Sequence, residues 1–416
     1  MMRIGIRRRA AALVIVLAGV LLAPPARAAD PAFAQFLAAV WPEAQRAGVT
    51  RATFDALTRD LEPDLTLPDL VIPGQPPRPE RGQAEFVSTP AEYLKEATIE
   101  RLAAKGRQLL AEHRATLSAI EKRFGVPPEI LLAIWARETA YGGAKLPYDA
   151  LRTLATQAYV GRRKDRFRPE FILAMKMLQD RVATRAVMRS SWAGAMGLVQ
   201  FMPSDFDKYA VDMDGDGRRN IFSSIPDALS SAAAQLVGKG WQAGETWAYE
   251  VRAPKNLDCT SADPDVTMTV AEWARRGFTP AYGRSFSRKE LAAKASLFLP
   301  AGIYGPAFLI LPNYYVIKSY NFSDLYVMFV GHLADRIAAP RPFEAPWQPV
   351  VQMKSSDLET IQRALTRRKL YSDKIDGKAG MATRLAIGHY QKANGLRLDC
   401  WPNKAVLDHL TRDAGR

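Results

Sequence analysis

EILLAIWARETAYGG (residues 129–143) reads as one short helix with an unexpected residue in its last turn. Pro127 and Pro128 mark the start, where a missing N–H is harmless, and Gly142-Gly143 marks the end. Ile130, Leu131, Ile134 and Trp135 form an apolar stripe, and Glu138 follows on it, four after Ile134 and three after Trp135. Two effects act on a carboxylate there. The helix dipole disfavours an anion in the last turn, and apolar surroundings desolvate it. Both raise the carboxyl pKa, as a general acid working near neutral pH requires. A glutamate that pairs with an arginine and locks the helix end would fit the same pattern, so the context decides.

The context is a second stretch, SSWAGAMGLVQFMPSDF (residues 190–206). Gly194, Ala195 and Gly197 permit close backbone approach, either to another segment or to a ligand. Ser191 and Gln200 supply hydrogen-bonding groups suited to sugar hydroxyls and acetamides. RET-x-YG followed by AGAMG-x-x-QFMPS is far more specific than either half.

Outside these stretches the 416-residue chain is 48% hydrophobic and 24% charged, which describes a globular protein of two or three domains. Residues 1–28 read as a cleaved signal peptide: Arg3, Arg7, Arg8 and Arg9 precede an apolar run at 10–22, then Ala26-Arg27-Ala28. That run is short for an uncleaved anchor, and no cysteine follows it to accept a lipid. Removing residues 1–28 lowers the formal net charge from +14 to +9, which suits an anionic envelope polymer; export argues against nucleic acid. The mature chain shows no transmembrane anchor. Helical periodicity covers residues 32–61, residues 63–90 are proline-rich and extended, and helix continues from 91 to about 236. Residues 251–311 mix short strands with turns, a small β-rich insertion. A proline-rich linker at 339–350 reads as a semi-rigid spacer before a separate three-helix unit at 351–416, which carries most of the positive excess. Cys259 and Cys400 are equally readable as a disulfide and as free thiols.

The motif series WARETAYGG, SWAGAMGLVQFMPS, DMDGDGRRN, PDALSSAAAQLVGKGW and YYVIKSYNFSDLY resembles the B type of lytic murein transglycosylases. IQRAL, IDGKAGMATRLAI and YQKANGLRLD resemble the type 1 peptidoglycan-binding domain. The resemblance implies a mainly α (α+β) protein with a lysozyme-like helical catalytic domain at 29–338, its small β-rich insertion, and a C-terminal wall-binding module. It implies that Glu138 is the single catalytic carboxylate, cleaving the β-1,4 bond between N-acetylmuramic acid and N-acetylglucosamine in peptidoglycan strands. The product is a 1,6-anhydro end, and no cofactor is required. It places Ser191 and Gln200 along the sugar cleft and Tyr320, Asn321 and Tyr326 facing the acid, with Tyr141 also near it. It also implies a periplasmic location and, as further partners, other cell-wall enzymes. One departure stands out: where the family commonly has Asn-Tyr ahead of Gly-Trp, this chain has Ala234 and Gln235, so sugar stacking on that tyrosine is absent.

In DMDGDGRRN, Asp212, Asp214 and Asp216 alternate before Gly217 like the start of a calcium loop, but the twelfth position is Ser223. Asp227 is the closing ligand that the family resemblance suggests for a structural Ca²⁺; a solvated acidic turn neutralised by Arg218 and Arg219 is the plain alternative. The four histidines lack ligand spacing, and there is no P-loop, dinucleotide fingerprint or G-x-S-x-G elbow. Two rivals to the transglycosylase reading are a hydrolytic muramidase and a non-catalytic wall-binding scaffold.

Overall fold

The computed structural model describes residues 30–76 and 84–413; the candidate signal peptide lies outside the described residues. Helices α1 (Pro31–Arg46) and α2 (Arg51–Thr58) start on side-chain caps from Asp30 and Thr50. The chain then runs extended across the body, with Asp64 N–H on the Thr156 hydroxyl, Val71 N–H on the Val160 carbonyl, and Leu70 bridged to Gly161. Its proline content explains why it wraps rather than coils. Two one-turn helices follow, α3 (Ala84–Val87) and α4 (Pro90–Tyr93), the latter held by a Thr89/Glu92 capping box.

The helical body is built from α5 (Glu96–Glu112), α6 (Arg114–Phe124), α7 (Pro128–Thr139), α8 (Ala150–Val160), α9 (Lys164–Gln179), α10 (Pro203–Tyr209) and α11 (Ile225–Gly238). A two-residue ribbon, β1 (Tyr148–Asp149) against β2 (Arg189–Ser190), pins the loop ahead of α8 to the second motif. Helix α7 is the axis of this body. Leu131, Leu132, Ala133 and Ile134 are all fully buried, because α7 is packed against α5, α6, α11 and the later α15. The apolar stripe seen in the sequence therefore continues most of the way round the helix.

The insertion holds β3 (Ala248–Arg252), β4 (Met268–Thr269), α12 (Val270–Arg275), β5 (Thr279–Pro280), α13 (Arg288–Ala292), β6 (Lys294–Phe298), β7 (Pro300–Ile303) and β8 (Ala307–Ile310). Its antiparallel sheet has the order β4-β6-β8-β3-β5, with Leu297 opposite Leu309 and Phe298 opposite Phe308. Successive strand residues point to opposite faces. Phe298, Phe308 and Ile310 thus join the core of the helical body, while Leu297, Leu309 and Val251 line the lobe's own core with Trp273. The sheet is a shared wall, which is why its central strands are apolar on both faces. From it the chain returns to the body through α14 (Pro312–Asn321) and α15 (Asp324–Ala338).

The C-terminal module is α16 (Ser355–Arg367), α17 (Met381–Ala393) and α18 (Lys404–Asp413) around Ile361, Leu365, Ile387, Tyr390 and Leu410. Gln362 holds its central turn: the buried amide donates to Asp376 and accepts from the Asp376 and Gly377 N–H groups. The two cysteines pair: Cys259 of the β lobe is bonded to Cys400 of the module. Around that bond, Tyr304 donates to Asp399 at 2.9 Å, and Gly302 has no room for a side chain, since a Cβ would lie 2.1 Å from the Asp399 carbonyl oxygen. The proline-rich segment is not a free spacer. Phe343 stacks on His332 of α15 with ring centroids 3.7 Å apart, and Gln348 N–H donates to the Tyr304 carbonyl.

Burial, and secondarily the Arg336 charge, pulls the His332 pKa down to about 3, so this imidazole is neutral in the fold. The unfolded chain binds a proton near pH 6.5 that the native chain refuses, so His332 contributes stability above that pH, and this is lost as pH falls toward about 3. Urea midpoints should therefore fall between pH 7 and pH 5, and His332→Gln should make that fall smaller; an unchanged slope would contradict the assignment.

Candidate active site

Helix α7 ends abruptly because Ala140, Tyr141 and Gly142 all take left-handed conformations, with φ of 50°, 59° and 81°. Ala140 N–H returns to the Ala136 carbonyl and Tyr141 N–H to that of Trp135, which satisfies the helix end. Two non-glycine residues in this region cost about 1–2 kcal/mol each. The strain is held in place by Tyr141, whose ring packs edge-on against Trp135 and whose hydroxyl donates to the Leu102 carbonyl at 2.9 Å. Glu138, one turn back, is half-buried, and its Oε1 accepts a hydrogen bond from the Tyr326 hydroxyl at 2.5 Å. Arg137 is engaged with Tyr93, donating to its hydroxyl at 2.8 Å.

Tyr326 arrives from α15 and is stacked nearly parallel, at 10° and 6.1 Å, on Tyr320 from α14. The turn between these helices passes through Phe322 at φ 59°. Tyr320 in turn donates to the Val199 carbonyl at 2.8 Å. Burial first, and the Glu138 carboxylate second, hold both phenols well above their usual pKa. Tyr326 is therefore a permanent donor aimed at the carboxylate.

The second motif forms the floor beside this pair. Thr139 Oγ1 donates to the Leu198 carbonyl at 2.7 Å and accepts from Gly142 N–H at 3.2 Å, fastening floor to helix. Leu198 N–H reaches the Ile221 carbonyl, and Met196 exchanges backbone hydrogen bonds with Phe201. Gly197, at φ 71°, admits no Cβ, which would lie 2.6 Å from the Ile221 carbonyl oxygen. Ser191 Oγ accepts from Ala195 N–H, and Gln200, at φ 54°, donates its amide to the Gly197 carbonyl at 3.0 Å. Beneath the floor lie two acids absent from the sequence-based site. Glu170 accepts from Ser204 N–H and Oγ, and Asp205 accepts from the Gln235 amide at 3.0 Å; burial raises the pKa of both. They hold the start of α10. Their only sequence trace is a polar residue placed where helices α9 and α10 turn inward.

With this geometry in place, the chain matches the Transglycosylase SLT domain family over residues 32–335. The chain belongs to that family. Residues 354–410 of this SLT-domain protein also match the "Putative peptidoglycan binding domain" family. Its fold is similar to SltB3 from Pseudomonas aeruginosa, solved in complex with NAG-anhNAM-pentapeptide: TM-score 0.81 and 35% identity, covering 91% of this chain and 99% of that one. It is similar to the Escherichia coli transglycosylase Slt35 in complex with calcium, at TM-score 0.51 and 29% identity over 61% of this chain and 78% of that one. Membrane-bound lytic murein transglycosylase B of Escherichia coli K12 is 33% identical over 224 residues, 52% of this chain; the match spans only 59% of that relative's length.

Of the residues singled out in the sequence, Glu138, Tyr320 and Tyr326 meet, and Ser191 and Gln200 lie on the loop that Thr139 ties to α7. Asn321 is the last residue of α14. Tyr141 departs from the expectation: the left-handed turn swings its hydroxyl to Leu102 on α5, into the packing of the body. Gln235, which replaces the family's tyrosine, serves Asp205 beneath the floor instead of a cleft wall. In the acidic loop, carboxylate oxygens of Asp212, Asp214 and Asp227 lie within 4.8 Å of one another. Asp216 is not among them; its carboxylate accepts from Arg218 N–H and closes the exposed turn. Asp227 is fully buried and accepts from Met213 and Asn220 N–H, so it already organises the loop.

Gly197→Ala should cost more than about 1 kcal/mol from backbone strain alone. With the Ile221 contact added, denaturant titration should show a clear drop in midpoint, and a wild-type midpoint would contradict the close approach.

Proposed function

We propose that this SLT-domain protein is an exported lytic transglycosylase that cleaves peptidoglycan between N-acetylmuramic acid and N-acetylglucosamine. The observation that carries the proposal is the Tyr326 hydroxyl on Glu138 Oε1, at the end of a helix buried on its other faces. A carboxyl so fixed meets the geometric condition for proton transfer to a bound sugar. Glu138 gives its proton to the glycosidic oxygen as the bond from C1 breaks. The muramoyl 6-hydroxyl then closes onto C1 and returns its proton to Glu138. One carboxyl serves as acid and base, no water is consumed, and the strand ends are a 1,6-anhydromuramoyl residue and an N-acetylglucosamine with a free 4-hydroxyl. The Tyr326 donor holds the carboxyl in one orientation through both half-reactions. Ser191 and Gln200 are assigned to the cleft that holds the sugars.

The similarity to SltB3, a protein solved with muropeptides, supports the same substrate class here. Residues 351–416 are assigned to wall contact and residues 1–28 to export into the periplasm. No described helix is long and apolar enough to cross a membrane. A calcium ion would be held by Asp212, Asp214 and Asp227, an all-oxygen donor set that suits a hard cation. Its contribution would be structural, tying the loop to α11.

Mass spectrometry of digested sacculi should find 1,6-anhydro ends, and Glu138→Gln should lower turnover by about 10³-fold while retaining sacculus binding. Reducing muramic ends would make the protein a muramidase, and normal cleavage by the variant would remove Glu138 from the mechanism. Calcium at about a hundredfold over its Kd should add about 2.7 kcal/mol of stability relative to chelator, and Asp214→Asn should abolish the difference. Equal melting with calcium and chelator would refute the ion site.

A further inference from the structure

The C-terminal module reaches into the catalytic body with one side chain. Arg384, on α17, is enclosed at the seam: its side chain is 9% exposed and that of its partner Asp324 is 11% exposed, with 3.5 Å between guanidinium and Oδ2. The guanidinium also lies over Phe298 of the shared sheet, 5.5 Å from the ring centroid, and donates to the Ala379 carbonyl. The other oxygen, Asp324 Oδ1, accepts from Lys318 Nζ at 2.7 Å and from the Tyr314 hydroxyl at 2.8 Å. One carboxylate between α14, α15 and α17 thus holds two cations and a phenol.

Withdrawing a guanidinium from water is costly unless a partner compensates. Adhesion of the module does not explain the expense. The Cys259–Cys400 disulfide, the Lys392–Asp258 ion pair and the Tyr304–Asp399 hydrogen bond already fasten it, and all three end on the β lobe. Arg384 instead ends on α15. Asp324 is the first residue of that helix, where an anion is favoured by the dipole. Two residues on, Tyr326 N–H donates to the Ser323 cap at 3.4 Å, and its hydroxyl reaches Glu138.

We propose that Arg384 is a positioning residue for the transglycosylase reaction: by completing the charge pairing at Asp324 it fixes the start of α15, and with it the Tyr326 hydroxyl that holds the Glu138 carboxyl. The inference rests on Glu138 being the acid. It makes the wall-binding module part of the frame of the active site.

The same arrangement sets a pH signature. Burial pushes the Asp324 carboxyl up, but the Lys318 and Arg384 charges outweigh it and, with the Tyr314 hydroxyl, hold Asp324 below the usual carboxylate range. Without Arg384, only Lys318 and the Tyr314 hydroxyl oppose that burial, so Asp324 protonates at higher pH.

The test uses the full chain on short soluble glycans, which need no anchoring to insoluble wall. Arg384→Gln should lower kcat about tenfold with KM within about twofold, and should move the acid limb of kcat to higher pH. Non-reducing proteolysis should still find the module joined to the β lobe. Arg384→Lys should recover most of kcat. Asp324→Asn should reproduce the loss, and the double variant should lose no more than either single one. Wild-type kcat and acid limb in Arg384→Gln, or additive losses in the double variant, overturn the proposal. If Arg384→Gln does not fold, Asp324→Asn decides alone, and wild-type kcat there overturns it equally. Wild-type enzyme run in parallel keeps the two readings apart: no anhydro product from it defeats the proposed function, whereas anhydro product with no effect of the substitutions defeats only the role of Arg384.

Discussion

The contact that the rest of this structure serves is a phenol donating to a carboxylate, Tyr326 to Glu138, at the end of one buried helix. A hydrogen bond of that kind has directional value only if both partners are held still. Helix α7 achieves this for the glutamate by being surrounded, and its strained left-handed exit is pinned by Tyr141 and Thr139. Helix α15 achieves it for the tyrosine from a segment nearly two hundred residues away in the chain, by a capped start and a face packed on α7 and α5. Neither helix could be loosened without separating the pair.

The β lobe has a comparable constraint. A sheet with one wet face would have sufficed for a small insertion, yet β6 and β8 are apolar on both. One face completes the body that carries Glu138, and the other completes the core that receives the module's cysteine. Packing at the wall couples what the linear chain separates. Alternation at period two makes this coupling possible, since adjacent residues of one strand serve different cores.

Much of this was legible in the chain. The bounds of α7 could be read because Pro128 and Gly142 act locally, through a missing N–H and a permitted φ. The three helices of the module and the strands at Met268 and Phe308 also follow from local periodicity. What could not be read depends on which distant residues meet. Nothing near Tyr141 says that its hydroxyl will find Leu102, and nothing near Asp216 says that it will close its own turn while Asp227 joins Asp212 and Asp214. The proline-rich linker looked like a spacer because composition reports stiffness and not the stacking of Phe343 on His332. The burial of Arg384 in a basic module is visible only with its partner Asp324. Fold class was thus written in periodicity, whereas the site was written in pairings.

The bond between Cys259 and Cys400 joins residues 141 positions apart, and α14 and α15, with both site tyrosines, lie inside the loop it closes. In the chain-entropy description, closing a loop of that length takes about 5 kcal/mol from the freedom of the unfolded chain. That contribution exists only where thiols are oxidised. In a reducing compartment the same sequence keeps every other contact but loses this one, and the half of the site that carries the tyrosines becomes the easier half to unravel. A wall-cutting activity of the kind proposed would thereby be least robust where thiols stay reduced.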